Sequence, residues 1–172
     1  MSQSYEIDMC HGPLFGKIIR FSIPLMLSGI LQLLFNAADI IVVGRFVGST
    51  ALAAVGSTSS LINLLINLFI GFSVGANVLV ARFHGAGRDD EVNETVHTAI
   101  TLSMISGIFL LILGVTVTRT LLIWMGSPDD VLDQSSLYLK IYFLAMPATL
   151  LYNFGSSILR AVGDTKRPLF YL

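Results

Sequence analysis

The chain has 172 residues, of which 54% are apolar and 12% charged, about half the roughly 25% charged share of an ordinary soluble domain. That balance excludes a soluble globular protein. Ten Lys and Arg against eleven Asp and Glu leave a net charge of −1, so neither a nucleic-acid surface nor an acidic solvating tail is expected, and nucleic acid is not an expected partner.

A single cysteine, Cys10, rules out an internal disulfide, and His11, His84 and His97 are too scattered for a zinc site. Met1 to Pro13 carries Glu6 and Asp8 but no Lys or Arg. It therefore lacks the positive start of a cleavable secretory signal, and the apolar segments are expected to stay in the mature protein. Residues 1–20 read as a cytoplasmic N-terminus ending in a short basic amphipathic stretch. There Lys17 and Arg20 stand beside Phe15, Ile18, Ile19 and Phe21, a pattern suited to the inner headgroup surface.

A bilayer core about 30 Å thick needs about 20 apolar helical residues. Stretches nearly free of charge predict four spans, at about 21–44, 52–81, 96–117 and 137–159. Residues 160–168 form a cytoplasmic loop, and 169–172 look like the start of a fifth span. Gly48-Ser49-Thr50 and the run Gly56 to Ser60 make the ground around the start of the second span turn-prone. Asp89, Asp90 and Glu91 suit the start of the third helix, where the helix dipole favours negative charge. Ser127-Pro128-Asp129-Asp130 places a capping hydroxyl, a first-turn proline and two carboxylates where the fourth helix should begin. The predicted fold is all-α: a polytopic integral membrane helical bundle of four transmembrane helices plus the start of a fifth.

Lys and Arg collect on the cytoplasmic side of membrane proteins. With the N-terminus inside, the inner segments hold Lys17, Arg20, Arg82, Arg88, Arg160, Lys166 and Arg167, and the outer loops only Arg45 and Arg119. Seven against two predicts a multi-pass protein of the cytoplasmic (inner) membrane with its N-terminus in the cytoplasm and the lipid bilayer as its first partner. Lys140 lies within the fourth span, near enough to its outer end to snorkel.

A carboxylate at the centre of a span costs about 2.5–3.5 kcal/mol to insert, so Asp39 is the leading functional candidate. Ser28, Gln32, Asn36 and Asp39 share one face of the first helix, a polar stripe that must meet protein or water. Loss of water favours the neutral or cation-bound carboxylate. Asp39 is accordingly a candidate carrier of H⁺ or Na⁺, and Na⁺ is the one metal ion it would hold. The alternative is a fixed ion pair with Lys140.

Asn63, Asn67, Gly71 and Gly75 follow one another at four-residue steps in the second span. The asparagines could line a cavity or bond between helices, and Gly71 with Gly75 forms a GxxxG packing pattern. Thr101, Ser103, Ser106, Gly107 and Gly114 read as packing residues of the third span. Pro24 and Pro147 each remove a backbone donor and predict kinks. Tyr138, Tyr142 and Tyr152 could line a cavity or belong to interfacial belts. Asn153 and Ser156, one helical step apart, could offer oxygens to a cation or serve packing. No activated nucleophile, metal cluster or nucleotide loop is present, so neither an enzyme nor a cofactor is expected.

Ile23-Pro24-Leu25, Asn36-Ala37-Ala38-Asp39 with Val43-Gly44, Gly71-Phe72-Ser73-Val74-Gly75-Ala76, and Ile158 to Pro168 together resemble the N-terminal part of a multidrug and toxic compound extrusion (MATE) transporter. The resemblance runs from Pro13 to the end of the chain. It implies a partial N-terminal lobe of a protein with twelve spans in two six-helix lobes, which exports drugs or organic cations in exchange for H⁺ or Na⁺. On that resemblance Asp39 matches the acidic residue of the first helix inside the N-lobe cavity, and Asn153 a polar position lining it. The partners it implies are drug-like small molecules and the remaining transporter helices, since alternating access needs two bundles around a central site. Two other readings stay open: a flippase of the same superfamily for lipid-linked saccharides, and a small membrane partner protein without transport activity.

Overall fold

A computed structural model describes Ile7, Gly12 and residues 14–46 and 48–172. Glu6, Asp8, Cys10, His11 and Pro13 lie outside the described residues. The described residues form α1 (Leu14–Phe46), α2 (Ser49–Gly85), α3 (Asp89–Trp124), α4 (Asp129–Ala161) and the short α5 (Lys166–Phe170), with no strand among them. Leu14–Phe46, Leu52–Gly85 and Asp89–Trp124 are long and apolar enough to cross a membrane. At 33 residues α4 matches α1 in length, but Asp129, Asp130, Asp133, Lys140 and Arg160 make it less apolar.

The basic stretch before residue 21 forms the first turns of α1, which continues unbroken from Leu14, because nothing between Arg20 and Phe21 breaks a helix. One sequence expectation changes. The Gly56 to Ser60 run is helical, inside α2. Its hydroxyls bond back to the preceding turn: Ser57 Oγ to Ala54 O at 2.9 Å, Thr58 Oγ1 to Val55 O at 3.0 Å and Ser59 Oγ to Gly56 O at 2.7 Å. Hydroxyls satisfied in this way no longer compete for the helix backbone.

The turns follow local chemistry. At Gly126, with φ +73°, α3 stops: Ser127 N–H donates to Leu122 O at 3.1 Å and Gly126 N–H to Ile123 O at 3.0 Å. This six-to-one closure requires a left-handed residue, which glycine supplies without strain. Asp89, Asp90 and Glu91 occupy the first turn of α3 as expected. Glu91 pairs with Arg88, whose guanidinium also sits 5.3 Å from the centre of the Phe83 ring. A bond from its own backbone N–H, and then Arg88, hold the Glu91 carboxyl below the ordinary value of 4.5. A lowered carboxyl stabilises the fold above its unfolded value and loses that contribution as pH falls through the folded one. Replacing Arg88 with Gln should therefore raise the Glu91 titration midpoint, read by NMR of the labelled side chain.

The chain divides into two compact units: Met1–Leu34 with Ile70–Thr101 and Tyr152–Leu172, and Phe35–Phe69 with Leu102–Leu151. Each long helix contributes a segment to each. The core of the second unit comprises Ile62 of α2, Leu110 and Leu122 of α3, and Leu132, Leu139, Phe143, Met146 and Leu150 of α4. Here α3 and α4 touch closely. A Cβ at Gly114 would lie 1.9 Å from Phe143 Cγ, and one at Gly107 would lie 2.6 Å from Pro147 Cα. These glycines are the hollows into which α4 fits.

In the first unit, Pro24 and Ser28 are the buried residues of α1, and Ser28 Oγ donates to Pro24 O at 2.9 Å. After α4, Gly163 turns the chain at φ +88°. The fully buried Asp164 then accepts the N–H groups of Lys166 and Arg167 at 3.0 and 3.1 Å and pairs with Arg167 Nε at 3.2 Å. Tyr152 donates its hydroxyl to Pro168 O at 3.0 Å. Asp164→Ala would leave two part-buried backbone donors without their acceptor. An expected cost of about 1–3 kcal/mol should appear as a lower unfolding temperature in detergent.

Candidate functional site

Asp39 lies on α1 within the second unit, exposed in this chain. The helix holds it three residues after Asn36 and four before Val43, so the three share a face. Val43 lines an open-sided cavity of about 370 Å³, together with Ala54 and Val55 of α2 and Gln134, Leu137, Tyr138 and Ile141 of α4. Its walls are mainly aliphatic, with Gln134 and Tyr138 as the polar groups, and no Lys or Arg lines it. This is the usual make-up of a small-molecule site: an apolar hollow with a few polar groups to orient its occupant.

Asp39 forms no ion pair with Lys140. The salt bridges among the described residues are Arg88 with Glu91, Arg119 with Asp133, and Arg167 with Asp164. Arg119 and Asp133 meet at 3.0 Å with both side chains largely in the open, where such a pair adds little. Among the described residues the Asp39 carboxylate has no salt-bridge partner.

The other sequence candidates are distributed between the two units. Asn36 accompanies Asp39 in the second, whereas Gln32 belongs to the first. Asn63 and Asn67 are exposed on α2 in the second unit, and the Asn67 amide donates to Asn63 O at 2.7 Å. Asn153, half-buried, and Ser156, buried, belong to the first unit on α4. A Cβ at Gly71 or Gly75 would meet nothing within 4 Å; the tight glycine contacts are those at Gly107 and Gly114. Both Pro24 and Pro147 lie inside continuous helices.

One polar group escaped the sequence reading. In the first unit, Asn77 Nδ2 on α2 donates to Ser157 O on α4 at 2.5 Å, and Ser157 Oγ donates to Ser73 Oγ at 3.2 Å. The available signal was the four-residue step from Ser73 to Asn77, one helical turn in an apolar run.

The profile of the MatE family matches residues 24–172. The probable multidrug resistance protein YoeA of Bacillus subtilis is 36% identical over 152 residues, covering 88% of this chain and 33% of its own. The multidrug export protein MepA of Staphylococcus aureus is 24% identical over 151 residues, covering 88% and 34%. An outward-facing structure of a multidrug resistance MATE family transporter of the MOP superfamily superposes with a TM-score of 0.85 at 26% identity, covering 99% of this chain and 37% of that one. The chain spans about a third of the length of the relatives it matches. Those relatives carry the names of resistance and export proteins, not of enzymes. With the family profile matched over most of its length and its helices superposed on those of a solved transporter, the chain belongs to the MatE family of multi-pass membrane proteins.

Proposed function

We propose that this chain forms part of the N-terminal lobe of an ion-coupled exporter of drug-like organic cations, and that Asp39 is its coupling residue. The observation that carries the reading is a carboxylate in a membrane-length helix, with no salt-bridge partner among the described residues, one helical turn before Val43 at an apolar cavity that Tyr138 also lines. A carboxylate in that setting binds a cation strongly, because apolar surroundings weaken the competition from water. If H⁺ or Na⁺ and an organic cation share it, each is bound only when the other has left. That exclusion is the elementary requirement of antiport. The aliphatic walls and the Tyr138 ring supply the surfaces on which a flat or greasy cation is held.

The remaining helices would supply the opposing bundle, and α4 would be the fourth span despite its charges. The excess of Lys and Arg at Lys17, Arg20, Arg82, Arg88, Arg160, Lys166 and Arg167 favours a cytoplasmic N-terminus. A fluorescent protein fused ahead of Met1 should therefore fold and fluoresce, whereas an exported N-terminus would leave it dark. A flippase of lipid-linked saccharides is the weaker reading, since anionic phosphate calls for Lys or Arg and none lines this cavity. The direct test is ethidium efflux from cells producing the complete transporter that contains this chain. Efflux should stop when an ionophore collapses the H⁺ and Na⁺ gradients; efflux indifferent to both gradients would refute ion coupling.

A further inference from the structure

Resting on that reading, we infer that Gln134 is a specificity-determining residue of the cavity in the second unit, selecting flat organic cations that carry an amine, amide or hydroxyl on the ring edge. Gln134, Tyr138 and Ile141 line the cavity from α4. Spaced by four and then three residues, they form one stripe of the helix. Along that stripe the chemistry changes. Gln134 stands nearest the start of α4, Tyr138 follows one turn later, about 6 Å along the axis, and Ile141 is wholly hydrocarbon. The lining from α1 and α2, Val43 with Ala54 and Val55, carries no polar side chain.

Among the described residues the lining holds no charged group. A cation seated there finds its counter-charge in Asp39, one helical turn before Val43 on α1, so charge does not distinguish one organic cation from another. The distinction falls to the neutral polar groups. The Tyr138 ring accepts any flat cation on its face, whereas the Gln134 amide, which both donates and accepts, rewards only an occupant with a hydrogen-bonding group of its own. Gln134 is exposed, which leaves its side chain room to turn toward such a group. The helix beneath it is held in place: the neighbouring Ser135 is fully buried, with its Oγ 3.2 Å from Ser57 Oγ on α2. Ser57 gives its own proton to Ala54 O, so Ser135 is the donor in that bond.

The test uses the complete transporter and two flat cations of the same ring system and charge: ethidium, which carries ring-edge amines, and the same phenanthridinium without them. The readout is the ratio of their kcat/KM values for efflux. In Gln134→Leu this preference for ethidium should fall by about fivefold, the scale of one hydrogen bond, through the ethidium value alone. The amount of protein in the membrane and the dependence on the ion gradient should stay as in the parent. A residue that merely supported the fold would change both cations alike. Gln134→Met, similar in length and without the amide, should give the same fall, and it serves if Gln134→Leu does not reach the membrane. An unchanged ratio, or an equal loss for both cations, would overturn the role of Gln134 and leave ion-coupled efflux standing. A parent protein that exports neither cation would overturn the transport reading and this assignment with it.

Discussion

Asp39→Asn is expected to abolish ion-coupled efflux while leaving the amount of protein in the membrane unchanged. Asn is cheaper than a carboxylate to insert, so expression should not suffer. The amide cannot take up H⁺ and binds Na⁺ poorly, so the link between ion and drug is cut. The double variant Asp39→Asn/Lys140→Gln separates this role from a structural one. A fixed ion pair would be rescued by neutralising both partners, but the two residues form no salt bridge, and the double variant should stay inactive. Recovery of transport in it would refute the role given to Asp39.

Gly114→Val should destabilise the second unit more than any change at the candidate site. Even an alanine Cβ there would fall 1.9 Å from Phe143 Cγ, and Phe143 is completely buried among Leu110, Leu139 and Met146. The ring has nowhere to retreat, so α3 and α4 must separate. Overpacking of this kind costs about 1–3 kcal/mol and sometimes more, which the gain of roughly a few tenths of a kcal/mol in helix propensity on exchanging glycine for β-branched valine does not offset. Thermal unfolding in detergent should show a clear drop for Gly114→Val. In a double-mutant cycle the pair Gly114→Ala/Phe143→Ala should cost less than the sum of the two single changes, since removing the ring also removes the clash at position 114. Equal stability of Gly114→Val and the parent would mean that α3 and α4 do not meet here.

What could be read in the sequence was the chemistry that acts over a few residues. Asp39 stands out because one carboxylate in a long apolar run has no cheap explanation, and the starts of α3 and α4 show as acidic residues just after turns at Gly87 and Gly126. The run from Gly56 to Ser60 misled, because its composition favours turns in isolation while the hydroxyls are satisfied within the helix. Contacts between helices were the hardest to foresee. Gly107 and Gly114 were read as packing residues, and they do make the close contacts, but their partners Pro147 and Phe143 lie far along the chain, while the GxxxG pair Gly71 and Gly75 makes no such contact. The bond from Asn77 to Ser157 crosses 80 residues, and no local spacing encodes it. Tyr138 was seen as one of three tyrosines; its place with Val43 at the cavity depends on how α1 and α4 meet within the second unit.

The account stands on Asp39 as the group that links ion movement to drug movement. Gradient-driven transport by the purified complete transporter in proteoliposomes tests this most directly, with an H⁺ or Na⁺ gradient imposed across the vesicle and ethidium movement followed by fluorescence. The parent should move ethidium against its own gradient when one of the two ion gradients is present and stop when it is collapsed. Asp39→Asn should then let ethidium only equilibrate, whatever gradient is applied. Gradient-driven accumulation by Asp39→Asn at the parent's rate would contradict the account, and the coupling site would have to be sought elsewhere.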